Sequence, residues 1–107
     1  MIFYTNNFIP SPFSAYTIGP VTFIKPKHKD NVGLHVHEAV HRKQFRRNPF
    51  FGLAYAFSKK ARLGYEVEAY RAELAVNPTL LDTCARWLST NYNLGISIAE
   101  AKTLLTV

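Results

Sequence analysis

The chain has 107 residues, enough for one domain and no more, and 48% of them are hydrophobic, 14% aromatic. That apolar mass excludes global disorder, and a single cysteine, Cys84, excludes both a disulfide-stapled mini-domain and a cysteine-ligated zinc finger. The net charge of +6 permits an anionic partner without showing one.

The first thirty residues read as extended. Ile2–Phe8 alternates loosely before Pro10 and Pro12 break it, and Tyr16–Ile24 is β-branched and aromatic around a Gly19-Pro20 turn. This predicts a small N-terminal antiparallel β-sheet, followed by four to five helices in an α+β fold. The first helix is expected over Asn31–Arg47, capped by Asp30 or Asn31 and stopped by Pro49. A second is expected from Phe50 towards Gly64, which breaks or kinks it before Tyr65–Val76 continues. Phe50, Phe51, Leu53, Tyr55 and Phe57 are taken as core, with one or two exposed. Asn77-Pro78 opens a third helix running to about Asn91, and Ser97-Ile-Ala-Glu100 is a capping box opening the last.

Within the first helix lies His37-Glu38-Ala39-Val40-His41, an HExxH motif. On a helix, residues four apart are separated by about 40° in azimuth and about 6 Å along the axis, so both imidazoles can address one ion. Glu38 lies about 100° round, placed to accept a proton from a metal-activated water rather than to ligate. Two neutral nitrogens leave a divalent zinc short of ligands, so a third must come from elsewhere in the chain. Glu66, Tyr70 and Glu73 share one face of a downstream helix, an acidic face in a basic protein. Glu66 is the favoured ligand, with Glu73 and Glu68 the alternatives; Tyr70 and Glu73 then orient a histidine or bind a basic residue. Tyr65, Tyr70, His35 and Arg71 are the candidate donors to an anionic transition state.

HExxH paired with a later E-x-E-A helix resembles the gluzincin metallopeptidases, whose third ligand is a glutamate one helix downstream. Matched to their E-x-x-A-D segment, Glu66 becomes the ligand and Tyr70 stands where an aspartate often supports the first histidine. The chain resembles more closely the small minigluzincin-like metallopeptidases common in bacteriophage and bacterial genomes. There a T-x-G-x-[IV] strand precedes an HE-x-x-H-x-x-Q helix, matched here by Thr17–Val21 and His37–Gln44, and by Gly64–Tyr70 downstream. The similarity spans about Tyr16 to Glu73. It implies a zincin-like fold, a zinc cofactor held by His37, His41 and Glu66, hydrolysis of peptide or protein substrates with Glu38 as catalytic base, and a virion-associated setting if phage-encoded.

An extended substrate is expected to pair with a strand around Val21–Ile24. Arg42, Lys43, Arg46 and Arg47 follow the motif and are candidates for an anionic partner, although cations also suit a helix C-terminus. No segment reads as a signal peptide or membrane span, so a cytoplasmic location is expected. The reading from a different class is a zinc-bound structural or interaction protein with little or no activity; a basic nucleic-acid-binding domain is the third. Cys84 is read as buried and inert.

Overall fold

A computed structural model describes residues 1–106 of the chain. Its architecture is α+β: three short strands, β1 (Ile2–Tyr4), β2 (Ala15–Ile18) and β3 (Val21–Ile24), precede five helices. These are α1 (Val32–Arg47), α2 (Phe51–Phe57), α3 (Lys59–Val76), α4 (Leu81–Thr90) and α5 (Ile98–Thr106). No helix among the described residues is long and apolar enough to cross a membrane.

β2 and β3 form the expected hairpin. Gly19 takes φ +60° and proline fixes the next φ as negative, the sign pattern of a type II′ turn, whose twist suits two antiparallel strands. Thr17 faces Thr22 and Ala15 faces Ile24 across it. The sheet is nevertheless mixed rather than antiparallel. Its order is β1-β3-β2, and β1 runs parallel to β3, with Ile2 opposite Thr22 and Tyr4 opposite Ile24. The proline-bearing segment after β1 carries the chain across to the far side of β3 instead of reversing it in a hairpin. β3 is thus paired on both sides, and β2 is left as an edge.

Along α1 the Asn31 side chain caps Leu34 N–H at 3.1 Å, resolving the two candidate caps. The buried side chains of this helix are His37, Glu38, His41 and Gln44; its inward face is polar. The sheet lies against it through Ala15, Thr22 and Ile24, all buried, and α3 packs along it most extensively of all. Gly33 permits that approach: a Cβ there would lie 3.2 Å from Glu73 Cγ.

The helix break falls at Ser58 and not at Gly64. Ser58 N–H donates to Ala54 C=O at 2.9 Å, closing α2, while Ser58 Oγ accepts from Ala61 N–H at 3.1 Å, opening α3. A hydroxyl that satisfies an orphan donor sets the boundary more firmly than a glycine weakens a helix interior. Gly64 sits exposed within α3 with open space around it. The aromatic segment of α2 is also less buried than expected: Phe51 alone is buried, whereas Phe50, Leu53 and Phe57 are exposed. The apolar core lies elsewhere, where Cys84, Ala85, Leu88, Leu94, Ala101 and Leu105 of α4, α5 and their connection close on Tyr70 of α3. Burial pushes the Cys84 thiol up to about 12, consistent with an inert residue. The capping box forms reciprocally, Glu100 N–H to Ser97 Oγ at 3.0 Å and Ser97 N–H to Glu100 Oε1 at 3.2 Å.

Two substitutions check the boundary. Gly64→Ala should stabilise the protein by about 0.5–1 kcal/mol, because it fills open space in a helix interior. Ser58→Ala should cost about 1 kcal/mol through the lost cap. Urea-denaturation midpoints measure both, and a destabilising Gly64→Ala would move the break back to Gly64.

Candidate metal centre

His37 and His41, one turn apart on α1, bring their Nε2 atoms to 3.2 Å from each other. Glu66, from the facing side of α3, places Oε1 3.2 Å from His37 Nε2 and Oε2 3.2 Å from His41 Nε2. All three residues are buried, and these donors form a His-His-Glu group that can hold a metal ion.

The supporting contacts fix which nitrogen is free. His37 Nδ1 donates to Glu73 Oε1 at 3.0 Å, and His41 Nδ1 donates to Gln44 Oε1 at 2.8 Å. Gln44 is oriented by its own amide, which donates to Tyr65 C=O and to Glu68 Oε1, both at 2.9 Å. Both partners are pure acceptors, so the Gln44 oxygen must face His41. In neutral form each imidazole then carries its proton on Nδ1, and two Nε2 lone pairs converge with a carboxylate on one point. That arrangement is repulsive unless a cation lies there.

The charge balance makes the same demand. Glu38, Glu66 and Glu73 are 6%, 2% and 3% exposed, and no lysine or arginine is buried among the described residues. Burial lowers the His37 imidazole, yet the hydrogen bonds it donates to Glu66 and Glu73 outweigh it and raise it to about 10. His41 is raised too, the charge of Glu66 overcoming burial. Glu66 is held well below the ordinary carboxylate range: burial opposes ionisation, but the two histidines prevail. Three buried carboxylates and two imidazoles therefore favour positive charge at their centre, as a proton or as a metal.

Glu38 lies beside the centre without closing it, its Oε2 3.8 Å from His37 Nε2. Thr17 Oγ1 donates to Glu38 Oε1 at 2.8 Å, and Thr17 and Thr22 hydroxyls are 2.8 Å apart. Arg42 Nη1 donates to Thr22 Oγ1. A guanidinium only donates and a carboxylate only accepts, so the chain has one direction: Arg42 to Thr22 to Thr17 to Glu38.

None of the candidate transition-state donors hydrogen-bonds to His37, His41 or Glu66. Tyr65 packs on Phe51 and its hydroxyl accepts from Asn48 at 3.4 Å, while His35 Nε2 meets Lys29 C=O at 2.7 Å. Arg71 donates through Nε and Nη2 to Leu104 C=O at 3.0 and 2.6 Å, tying α3 to α5. Tyr70 sets its ring edge-on against His37, centroids 4.4 Å apart, and shares its hydroxyl with Tyr92 at 2.7 Å. It therefore supports His37 by packing, and Glu73 takes the Nδ1 hydrogen bond. Glu68 faces away to Gln44 and to Arg47, the latter at 2.7 Å. With Arg42 on Thr22 and Arg47 on Glu68, two of the four cations after the motif are engaged within the fold.

The residue that sequence reasoning missed is Tyr55. Its hydroxyl donates to Glu66 Oε2 at 2.6 Å, and burial followed by the Glu66 charge holds it protonated, far above the ordinary phenol value. Within an aromatic run read as core, nothing marks this one hydroxyl for the centre. Tyr55 lines a cleft of about 850 Å³ that opens on His37, Glu38, His41 and Glu66. The β2 edge, Tyr16 to Gly19, forms part of its wall, and Phe45, Phe51 and Leu53 make much of the remainder apolar.

No family model, no curated protein and no solved structure matches this chain.

The centre should bind one divalent metal per chain. Gln44→Ala and Glu73→Ala should each weaken it by about 10–100-fold, since each frees a histidine to rotate. Gly33→Ala should weaken it less, by displacing Glu73. Competition with a chromophoric chelator measures all three, and affinity unchanged in Gln44→Ala and Glu73→Ala would refute the orienting contacts. Removing a metal held at 100 times its Kd should cost about 2.7 kcal/mol, lowering Tm by on the order of 10 °C.

Proposed function

We propose that the protein is a zinc-dependent metallopeptidase of the gluzincin type, with zinc on His37, His41 and Glu66 and with Glu38 as general base. The observation that carries this reading is the placement of Glu38. A buried carboxylate stands beside the ligand set, anchored through one oxygen to Thr17, with its other oxygen 3.8 Å from a ligand nitrogen.

Donor chemistry supports zinc. Two imidazoles and one carboxylate suit zinc far better than calcium or magnesium, which take oxygen shells. Bonds of about 2.0–2.1 Å at a tetrahedral angle put neighbouring donors about 3.3–3.4 Å apart, close to the 3.2 Å separations here. When bound, zinc in such a site polarises a carbonyl and lowers the pKa of a water towards 7.

The chain's own residues account for the remaining work. Glu38 Oε2 takes a proton from the attacking water and returns it to the leaving amine, while Thr17 holds Oε1 so that the carboxylate keeps its aim. Glu73 and Gln44 keep the histidines oriented, and the Tyr55 hydroxyl fixes Glu66. An extended peptide can add to β2, an edge strand whose residues line the cleft; β3 (Val21–Ile24), expected for that role, is central in the sheet and has no free side.

Zinc-loaded wild type should cleave members of a mixed-sequence, internally quenched peptide library. Glu38→Gln should keep the zinc and the fold while losing activity by about 10²–10⁴-fold. Thr17→Val should lower kcat with little change in zinc content. Wild type that binds zinc stoichiometrically yet cleaves nothing would sink the peptidase reading and leave a zinc-bound structural or interaction protein.

A further inference from the structure

Arg62 lies on the first turns of α3, four residues before Glu66 and on the same helical face, and it lines the cleft. Its guanidinium carbon is 5.9 Å from the centroid of the Tyr55 ring, whose hydroxyl reaches Glu66. Among the described residues, its Nε is the one buried side-chain nitrogen or oxygen without a hydrogen-bond partner. It also makes no ion pair there. Its sequence neighbours offer no compensation: Lys59 and Lys60 precede it, and Glu66 is already engaged by two histidines and a tyrosine.

A guanidinium that no described carboxylate pairs, on the wall of a largely apolar cleft, can offer its fork to an anion by turning its buried Nε outward. Its planar fork matches a carboxylate in two-point contact, and low local dielectric strengthens the pairing. The offset from Glu66 is one helical turn, about 6 Å, which is about two residues of extended peptide. We propose that Arg62 binds a substrate carboxylate located one or two residues from the scissile bond. The cleft then selects peptides that present either a free C-terminus or an acidic side chain at that distance. This inference rests on the peptidase reading and deepens it by naming a substrate class.

Three hydroxamate-capped dipeptides test it by calorimetric binding to the zinc-loaded protein: a Leu-Ala with a free C-terminal carboxylate, its C-terminal amide, and the Leu-Glu amide. The hydroxamate anchors each to the metal, so the register is common to all. At least one carboxylate compound should bind about ten-fold or more tightly than the Leu-Ala amide. Preference for the free acid identifies a C-terminal anchor, and preference for the Leu-Glu amide identifies an acidic side chain. Arg62→Met should erase the preference at unchanged zinc stoichiometry, and Arg62→Lys should restore part of it. Equal binding of all three compounds to wild type would overturn the Arg62 assignment while leaving the peptidase reading intact. A preference that survives in Arg62→Met would do the same. Failure of every hydroxamate to bind a zinc-loaded protein would overturn both. The wild-type comparison decides even if a variant does not fold.

Discussion

Everything near the site follows from one constraint: α1 and α3 meet across a buried seam of carboxylates and imidazoles. In most helix pairs of this length apolar side chains fill the interface. Here His37, His41 and Gln44 face Glu66 and Glu73, and the seam holds only because each polar atom has a partner of the right kind. Removing a single partner leaves a charge or a lone pair stranded in low dielectric, which costs more than any one contact contributes. Each partner therefore counts towards the seam, and a cation at its centre would turn mutual repulsion into attraction.

The apolar half of the molecule supports that seam from behind. Tyr70 belongs to both: its ring rests on His37, and its hydroxyl reaches Tyr92 within the core closed by α4 and α5. Arg71 adds a second tie from α3 to the end of α5. The C-terminal helices thus brace the face of α3 that carries Glu66 and Glu73. The sheet braces Glu38 on the other side, through two threonines that face each other across the hairpin.

Local chemistry made much of this legible in the sequence. The HExxH spacing, the Asn31 cap, the Gly19-Pro20 turn and the Ser97–Glu100 box each depend on residues within a few positions of one another, and each formed as expected. The face shared by Glu66, Tyr70 and Glu73 followed from helical periodicity alone. Partners brought together by tertiary packing were not legible. The parallel pairing of β1 depends on where a ten-residue connection lands. Tyr55 and Arg62 acquire meaning only when α2 folds back beside α3, and Tyr70 and Arg71, expected as donors near the centre, are paired with the Tyr92 hydroxyl and the Leu104 carbonyl. Ser58 was readable in principle, as a serine just after an aromatic run, but the glycine six residues later drew the boundary.

The hydrogen-bond chain from Arg42 to Glu38 has a further consequence for traffic through the protein. A row of hydroxyls can pass protons along when both its ends can give and take them. This row ends in a guanidinium, which never surrenders its proton at any pH the fold survives. It is a dead end for proton conduction, and it holds Glu38 in place without draining it. A proton that reached Glu38 could not leave through the sheet by this route.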